Sequence, residues 1–310
     1  MKKNSLKGVL LLLLTALIWG TSFVAQSVGM ERVQAFTFNG VRTLMGAGIL
    51  FPFVIVRDLL SHRSLPIKRR LRLAEKKKLL LPGAAMGLAL FAAGNVQQFA
   101  FYDTTPGKIA FITALYMVFV PILGLFLGRR VRLPVWLSVA LGVAGLYFLC
   151  VPKEGFASVN RGDLLALGCA VLFAVHILVI ERFSALEDPV FLSMVQFTVA
   201  GSLALILAFV FETPRLSELR AVLGPLMYSG FMSCGVAYTL QVVGQKHVEP
   251  TVASLLMCLE SVFGVLSAAV LLRQGLTGRE IIGCAVMFAA ILLSQAGDRL
   301  SLFSPRKNAQ

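Results

Sequence analysis

The stretch TPGKIAFITALYMVFVPILGLFLGRR, residues 105–130, decides how the rest of the chain is read. Between Gly107 and Gly128 it carries a single charge, Lys108, and it ends abruptly on Arg129 and Arg130. Wound as a helix, such a run reaches about 33 Å, enough to cross a hydrocarbon core of ~30 Å. Comparable runs lie near 6–28, 35–56, 79–101, 107–128, 134–151, 162–180, 189–211, 221–243, 251–272 and 280–297. Composition agrees with this reading. Hydrophobic residues make up 57% and charged residues 14% of the chain, against ~45–50% and ~25% in soluble globular proteins. Such a chain has too few charges to cover soluble globules, and too much apolar surface for disorder or a disulfide framework. The expected fold class is an all-α polytopic membrane protein of ten transmembrane helices, with no room for a large soluble domain.

The net charge of +14 raises the question of nucleic acid, and the placement of the charges answers it. Connections taken alternately from the N-terminus hold 20 and 8 of the 29 lysines and arginines, and Arg42 lies inside a span. That asymmetry is the positive-inside signature and places both termini in the cytoplasm. The basic segment Arg57–Lys78 has no interleaved aromatic residue and reads as a topology determinant against anionic headgroups, so no nucleic-acid partner is expected. The leucine-rich start resembles a signal peptide. Its apolar run continues to Val28 without a small-x-small end, so it reads as an uncleaved first span. Cys150, Cys169, Cys234, Cys258 and Cys284 sit in apolar runs without Cys-x-x-Cys spacing or histidine neighbours, and read as packing residues. No metal site or other cofactor is expected.

The chain also looks duplicated. An offset of 154 aligns Gly8-Val-Leu-Leu with Gly162-Asp-Leu-Leu, and Arg42 with Gln196. An offset of 144 aligns the run from Pro106 with that from Pro250, and Leu115-Tyr116-Met-Val-Phe with Leu259-Glu260-Ser-Val-Phe. The expected division is 1–152 and 153–310, the second part carrying a short basic tail. Five spans per repeat is odd, so the second copy enters the membrane with opposite orientation, the inverted-repeat arrangement of many transporters. The segments Leu17-Ile-Trp19-Gly20-Thr-Ser, Asn39-Gly-Val-Arg42-Thr, Thr105 to Tyr116, Phe126-Leu-Gly128 and Ser254 to Phe263 resemble those of the EamA-type drug/metabolite transporters over nearly the whole chain. The family often has proline after the Tyr or Glu of the fourth and ninth spans, and an acidic residue after the Leu-Gly that ends them. This chain has Met117, Ser261, Arg129 and Gln274 there. The resemblance implies a secondary transporter of small metabolites, amino acids or drug-like molecules, exporting or exchanging them by alternating access, in a bacterial-type inner membrane.

Charge inside hydrocarbon costs ~2.5–3.5 kcal/mol on translocon scales, so it faces a partner or a cavity. Arg42 and Glu260 lie at comparable depth. They read either as a pair that exchanges for a proton or substrate, or as a permanent salt bridge that fixes helix packing. Lys108 follows Pro106 in the first turn of the fourth span, where the helix dipole adds to its charge. It reads either as a seat for a substrate carboxylate or phosphate or as a lysine snorkelling to the interface. Thr113 belongs to the family-like segment of the same span, and Tyr116 shares the face of Lys108. Trp19, Ser22 and Gln26 form a polar-aromatic stripe in the first span. Asn39 precedes Arg42, Asn95 and Gln98 lie in the third span, His176 in the sixth, and Tyr238 and Gln241 in the eighth. These residues read as interhelical hydrogen bonds or as the substrate pathway. Gly83-x-x-x-Gly87 and Gly124-x-x-x-Gly128 read as close helix contacts.

No phosphate loop, His-Glu-x-x-His or nucleophile elbow occurs, and an enzyme is not expected. The expected partners are a small-molecule substrate, a coupling proton and the lipid bilayer, with a homodimer left open. The rival is a membrane sensor or assembly scaffold that moves nothing.

Overall fold

The computed structural model describes residues 5–60, 66–151, 159–186, 188–271 and 276–300, with side chains except at 59–60, 66–75, 268–271 and 295–300. Of the cations behind the charge asymmetry, Lys2, Lys3, Arg63, Lys153, Arg273, Arg306 and Lys307 lie outside the described residues, as does Gln274.

Helix α1 (Leu6–Met30) begins where Ser5 Oγ accepts a hydrogen bond from Gly8 N at 3.2 Å, an N-cap that satisfies one of the first-turn donors. Leu12 and Ala16 on it are fully buried, so the leucine-rich start is a packed member of the bundle. The helices α2 (Ala35–Leu60), α3 (Pro66–Ala100), α4 (Pro106–Ala114), α5 (Tyr116–Phe126), α6 (Leu133–Cys150), α7 (Arg161–Phe183) and α8 (Pro189–Phe211) follow. Two short helices, α9 (Leu216–Ala221) and α10 (Leu223–Met227), lead into a π-helical segment, Tyr228–Tyr238. The chain then runs through α11 (Thr239–Gln245), α12 (Pro250–Met257), α13 (Leu259–Leu271) and α14 (Gly278–Leu300). Among the described residues, nine stretches are long and apolar enough to cross a membrane, and no strand occurs. The tenth expected span falls on α14, which is not one of the nine.

Three expected spans are not continuous α-helices. The fourth breaks at Leu115, the ninth at Cys258, and the eighth contains the π segment. Hydrophobic periodicity cannot see such breaks, because apolar residues occur on every side of these buried stretches. Met117 and Ser261, where the family often has proline, did not prevent the two breaks. The segment Arg57–Lys78 is also more helical than a connecting loop: α2 runs to Leu60 and α3 starts at Pro66. Its Lys, Arg, Leu, Ala and Glu are strong helix formers, and proline suits a first helical position. Lys76 on this extension pairs with Asp58, and its ammonium lies 4.9 Å from the Phe191 ring centre.

Helix contacts are set largely by glycine, as expected where no hydrophobic force draws helices together in lipid. A Cβ on Gly83 or Gly87 of α3 would lie 2.7 Å from Val195 Cβ or 2.8 Å from the Gln196 carbonyl oxygen of α8. A Cβ on Gly145 of α6 would stand 2.9 Å from Met287 N of α14. The pair Gly124 and Gly128 does something else. Gly128 has φ 72°, its N–H bonds Leu125 O at 2.9 Å, and Arg129 N bonds Gly124 O at 3.0 Å. This is a left-handed helix stop rather than a helix contact, and it favours glycine because Cβ would crowd the backbone.

Helix α2 packs on α8, α6 on α14, α3 on α7 and α8, and α1 on the π segment, α11, α12 and α13, while α4 and α5 lie against α7. The first turn of α2 is capped from far along the chain. Glu212, at the end of α8, accepts hydrogen bonds from Phe36 N at 2.8 Å and from Thr37 N and Thr37 Oγ1 at 2.7 Å.

Candidate functional site

The site lies where the breaks in the helices face one another. With Leu115 ending α4, Tyr116 starts α5, and its hydroxyl donates to Glu260 Oε1 at 3.3 Å, two residues beyond the break at Cys258. The Cys258 thiol donates to Ala114 O at 3.2 Å, occupying a carbonyl near the break in the other helix. A cavity of about 30 Å³, room for a water or two, opens beside this junction. Its walls include Trp19, Gln26, Arg42, Thr113, Tyr116, Tyr238 and Glu260, all read from the sequence as pathway residues, together with Phe23, Gln97, Phe173 and Ser233.

Arg42 and Glu260 are only 3% and 4% exposed, yet no ion pair joins them. The sequence reading of a permanent salt bridge is therefore not what the structure holds. Arg42 Nε donates to Asn39 Oδ1 at 2.9 Å, and its guanidinium carbon lies 5.8 Å from the Phe38 ring centre. Glu260 is held by the Tyr116 phenol. Each charge is thus oriented from its own side by a neutral neighbour, and the two face the same space. Trp19 and Tyr238 close one wall with ring centres 4.6 Å apart. Trp19 Nε1 and Gln26 Oε1 are buried and have no hydrogen-bond partner. Orphaned buried polar atoms of this kind call for a water or a ligand group.

The other sequence-read residues take different places. Ser22 supports the wall by accepting from Gln26 Nε2 at 3.5 Å. His176 is fully buried behind Tyr238, ring centres 6.1 Å apart, with Nε2 against Gln196 Oε1 at 3.2 Å. Asn95 bonds Phe91 O at 2.7 Å, and Gln98 and Gln241 are buried but do not line the cavity. Lys108 does not face the cavity with Tyr116, because α4 stops between them. Its ammonium lies 2.9 Å from Asp163 Oδ2.

Gln97, Ser233 and Asp163 were not singled out in the sequence. Gln97 had one signal, its polarity in an apolar run, which it shares with Gln98. Asp163 had none, since its partner stands 55 residues away. Among the described residues no group of three or more His, Cys, Asp or Glu could hold a metal ion.

Comparison with known proteins gives a consistent result. An Archaeoglobus fulgidus protein named an uncharacterized transporter is 28% identical over 91% of this chain and 83% of its own length. The Escherichia coli K12 protein YedA, named an uncharacterized inner membrane transporter, is 24% identical over 92% and 89%. A solved crystal structure superposes with a TM-score of 0.73 at 20% identity, over 96% of this chain and 99% of that one, which speaks for the fold alone. With its membrane-spanning helices, the chain is a multi-pass inner-membrane protein. The sequence profile of the EamA-like transporter family matches residues 6–151 and again 160–295, and the chain belongs to that family.

Proposed function

We propose that this protein is a secondary active transporter, exporting or exchanging small dipolar organic molecules by alternating access. The substrate site lies at the midplane between two inverted five-helix repeats, 1–152 and 153–310, and both termini are cytoplasmic. One observation carries the reading: Arg42 and Glu260, both buried, line one cavity without pairing with each other. A bundle that only needed to hold together would neutralise these charges against one another, since uncompensated charge in hydrocarbon is costly. Kept apart, they present opposite poles to a zwitterion, with Trp19, Phe23, Phe173 and Tyr238 around its apolar body. The chemistry of this lining suits small metabolites, amino acids and drug-like molecules with an amine and an acid, for which the cavity of about 30 Å³ must widen on binding. Glu260 also supplies a carboxyl that a coupling proton can occupy when no amine is bound.

The repeat is supported by the helix neighbours. Exchanging the spans of the first half for those of the second turns the packing of α3 on α7 into that of the π segment on α1. The same exchange returns the pairs α2 with α8 and α6 with α14 to themselves.

The test is flux in proteoliposomes of full-length protein. Labelled amino acids and cationic and anionic metabolites are offered with and without a pH gradient. Saturable uptake or counterflow of zwitterions is expected, and no movement of any member of the panel overturns the reading. In a cysteine-free background, Ser64→Cys and Ser217→Cys should label from opposite faces; labelling of both from one face refutes the topology.

A further inference from the structure

We propose that the ion pairs Lys108–Asp163 and Arg129–Glu181 are the two gates of the pathway, opened in turn. The inference rests on the alternating-access reading. Helix α7 is a continuous rod with Asp163 in its first turn and Glu181 near its last, about 27 Å apart along the axis. The facing span is not a rod. It is broken at Leu115 into α4 and α5, and each piece carries a cation at its far end. Lys108 Nζ on α4 lies 2.9 Å from Asp163 Oδ2, and Arg129 Nη2, just past α5, lies 2.5 Å from Glu181 Oε2. Arg129 moves with α5, because its N–H bonds Gly124 O at 3.0 Å. The broken helix is therefore tied at each end to one end of the same rod, and near its middle to the ninth span through Tyr116–Glu260 and Cys258–Ala114.

The chemistry of the pins suits gates. Each pair reaches water through its cation: Lys108 is 18% exposed over a buried Asp163, and Arg129 34% exposed over Glu181 at 18%. Such pairs are closed by charge, yet weak enough to be exchanged for water, unlike a fully buried pair. Both pairs are formed here, one towards each end of the bundle, with the central cavity of about 30 Å³ between them. At the Arg129 end a much larger cavity, about 570 Å³, is lined by Arg129, Arg130, Arg132, Glu181 and Glu249 and reaches up to the pair. The Lys108 end is fastened more firmly. Asp163 also accepts from Thr104 Oγ1 at 2.7 Å and Asn160 N at 3.2 Å, and Asn160 Nδ2 donates to Asp103 O at 2.8 Å. The break at Leu115 lets one end of the span swing while the other stays pinned.

Hydrogen–deuterium exchange on full-length protein in lipid nanodiscs tests this without a known substrate. Lys108→Gln removes the ion pair and leaves the Thr104 and Asn160 bonds to Asp163 in place. It should raise exchange over residues 101–112 by about 1.5- to fivefold, the population ratio governed by one weak ion pair. The same variant should lower exchange over residues 124–135 at the opposite end. Arg129→Gln should do the reverse, and Lys108→Arg should stay near wild type. The reciprocal change at the far end is decisive, since a merely structural tie loosens only its own end. Local loosening without it overturns the proposal. Should Lys108→Gln fail to fold, Arg129→Gln carries the same test, and an unchanged 101–112 segment there overturns it. If the wild type moves no probe in liposomes, the transport reading itself fails; if it transports but neither variant shows reciprocity, only the gates fail.

Discussion

The two helices that break inside the bundle start alike and are held differently. Both open on a proline, Pro106 and Pro250, and both break eight or nine residues on, at Leu115 and Cys258. The first is tied to α7 by ion pairs at its two ends. The second is pressed against α1 along its backbone: a Cβ on Gly20 would lie 2.7 Å from Gly264 N and 3.0 Å from Phe263 Cβ. Backbone contact this close admits one arrangement, because packed surfaces are not continuously deformable. An ion pair near water can be exchanged for solvated charges at little cost. On the gating proposal, the difference makes α4 and α5 the parts that move, and α1 with α12 and α13 the frame they move against.

The largest expected effect tests where the comparison meets, at the Tyr116–Glu260 bond. Glu260→Gln keeps shape and hydrogen bonding but removes charge, so zwitterion flux should fall about ten- to a hundredfold, the worth of a bond to a charged group. Folded yield in detergent should stay near normal; normal flux, or failure to fold, removes Glu260 from the substrate's path. Next is the frame. Gly20→Ala should cost about 1–3 kcal/mol by overpacking, read as a lowered thermal midpoint in detergent. Gly124→Ala in the broken fourth span, whose Cβ would meet Arg129 Cδ at 3.4 Å and Arg129 Cβ at 3.8 Å, should change stability by less than about 0.5 kcal/mol. Equal costs for the two would break the comparison. Gly128→Ala should lose about 1 kcal/mol through its left-handed backbone. The smallest effect concerns selectivity: because the Lys108 ammonium lies on Asp163 and not in the cavity, Lys108→Gln should alter binding of an anionic and a cationic probe to the same degree. A selective loss of the anionic probe would return Lys108 to the substrate site.

The membrane fold was legible because it rests on composition and run length, and apolar runs such as 189–211 coincide with their helix. The breaks were not legible. A π turn and a kink change the winding of the backbone without interrupting the apolar run, so the eighth and ninth spans read as continuous helices. In the site, residues that announce themselves by polarity in an apolar run, such as Arg42, Tyr116 and Glu260, were found and do share a cavity. What polarity could not supply was depth and azimuth. Gln98 was read as a pathway residue and its neighbour Gln97 was not, yet Gln97 lines the cavity and Gln98 does not. One residue is a turn of about 100° on a helix. The ion pairs of α7 escaped because their members lie at span ends, where a charge is ordinary, and because pairing across more than fifty residues leaves no trace in spacing.

The cap that Glu212 places on α2 has a consequence for biogenesis. The first turn of α2 receives its acceptor from a residue 175 positions later in the chain. At synthesis rates of about 5–20 residues per second, that carboxylate arrives roughly 10–35 s after Thr37 has left the ribosome. Through that interval the N–H groups of Phe36 and Thr37 must be satisfied by water or headgroups, which holds the start of α2 at the membrane surface. Only when the end of α8 has been made can this cap close, so one helix start of the first half is completed by the second.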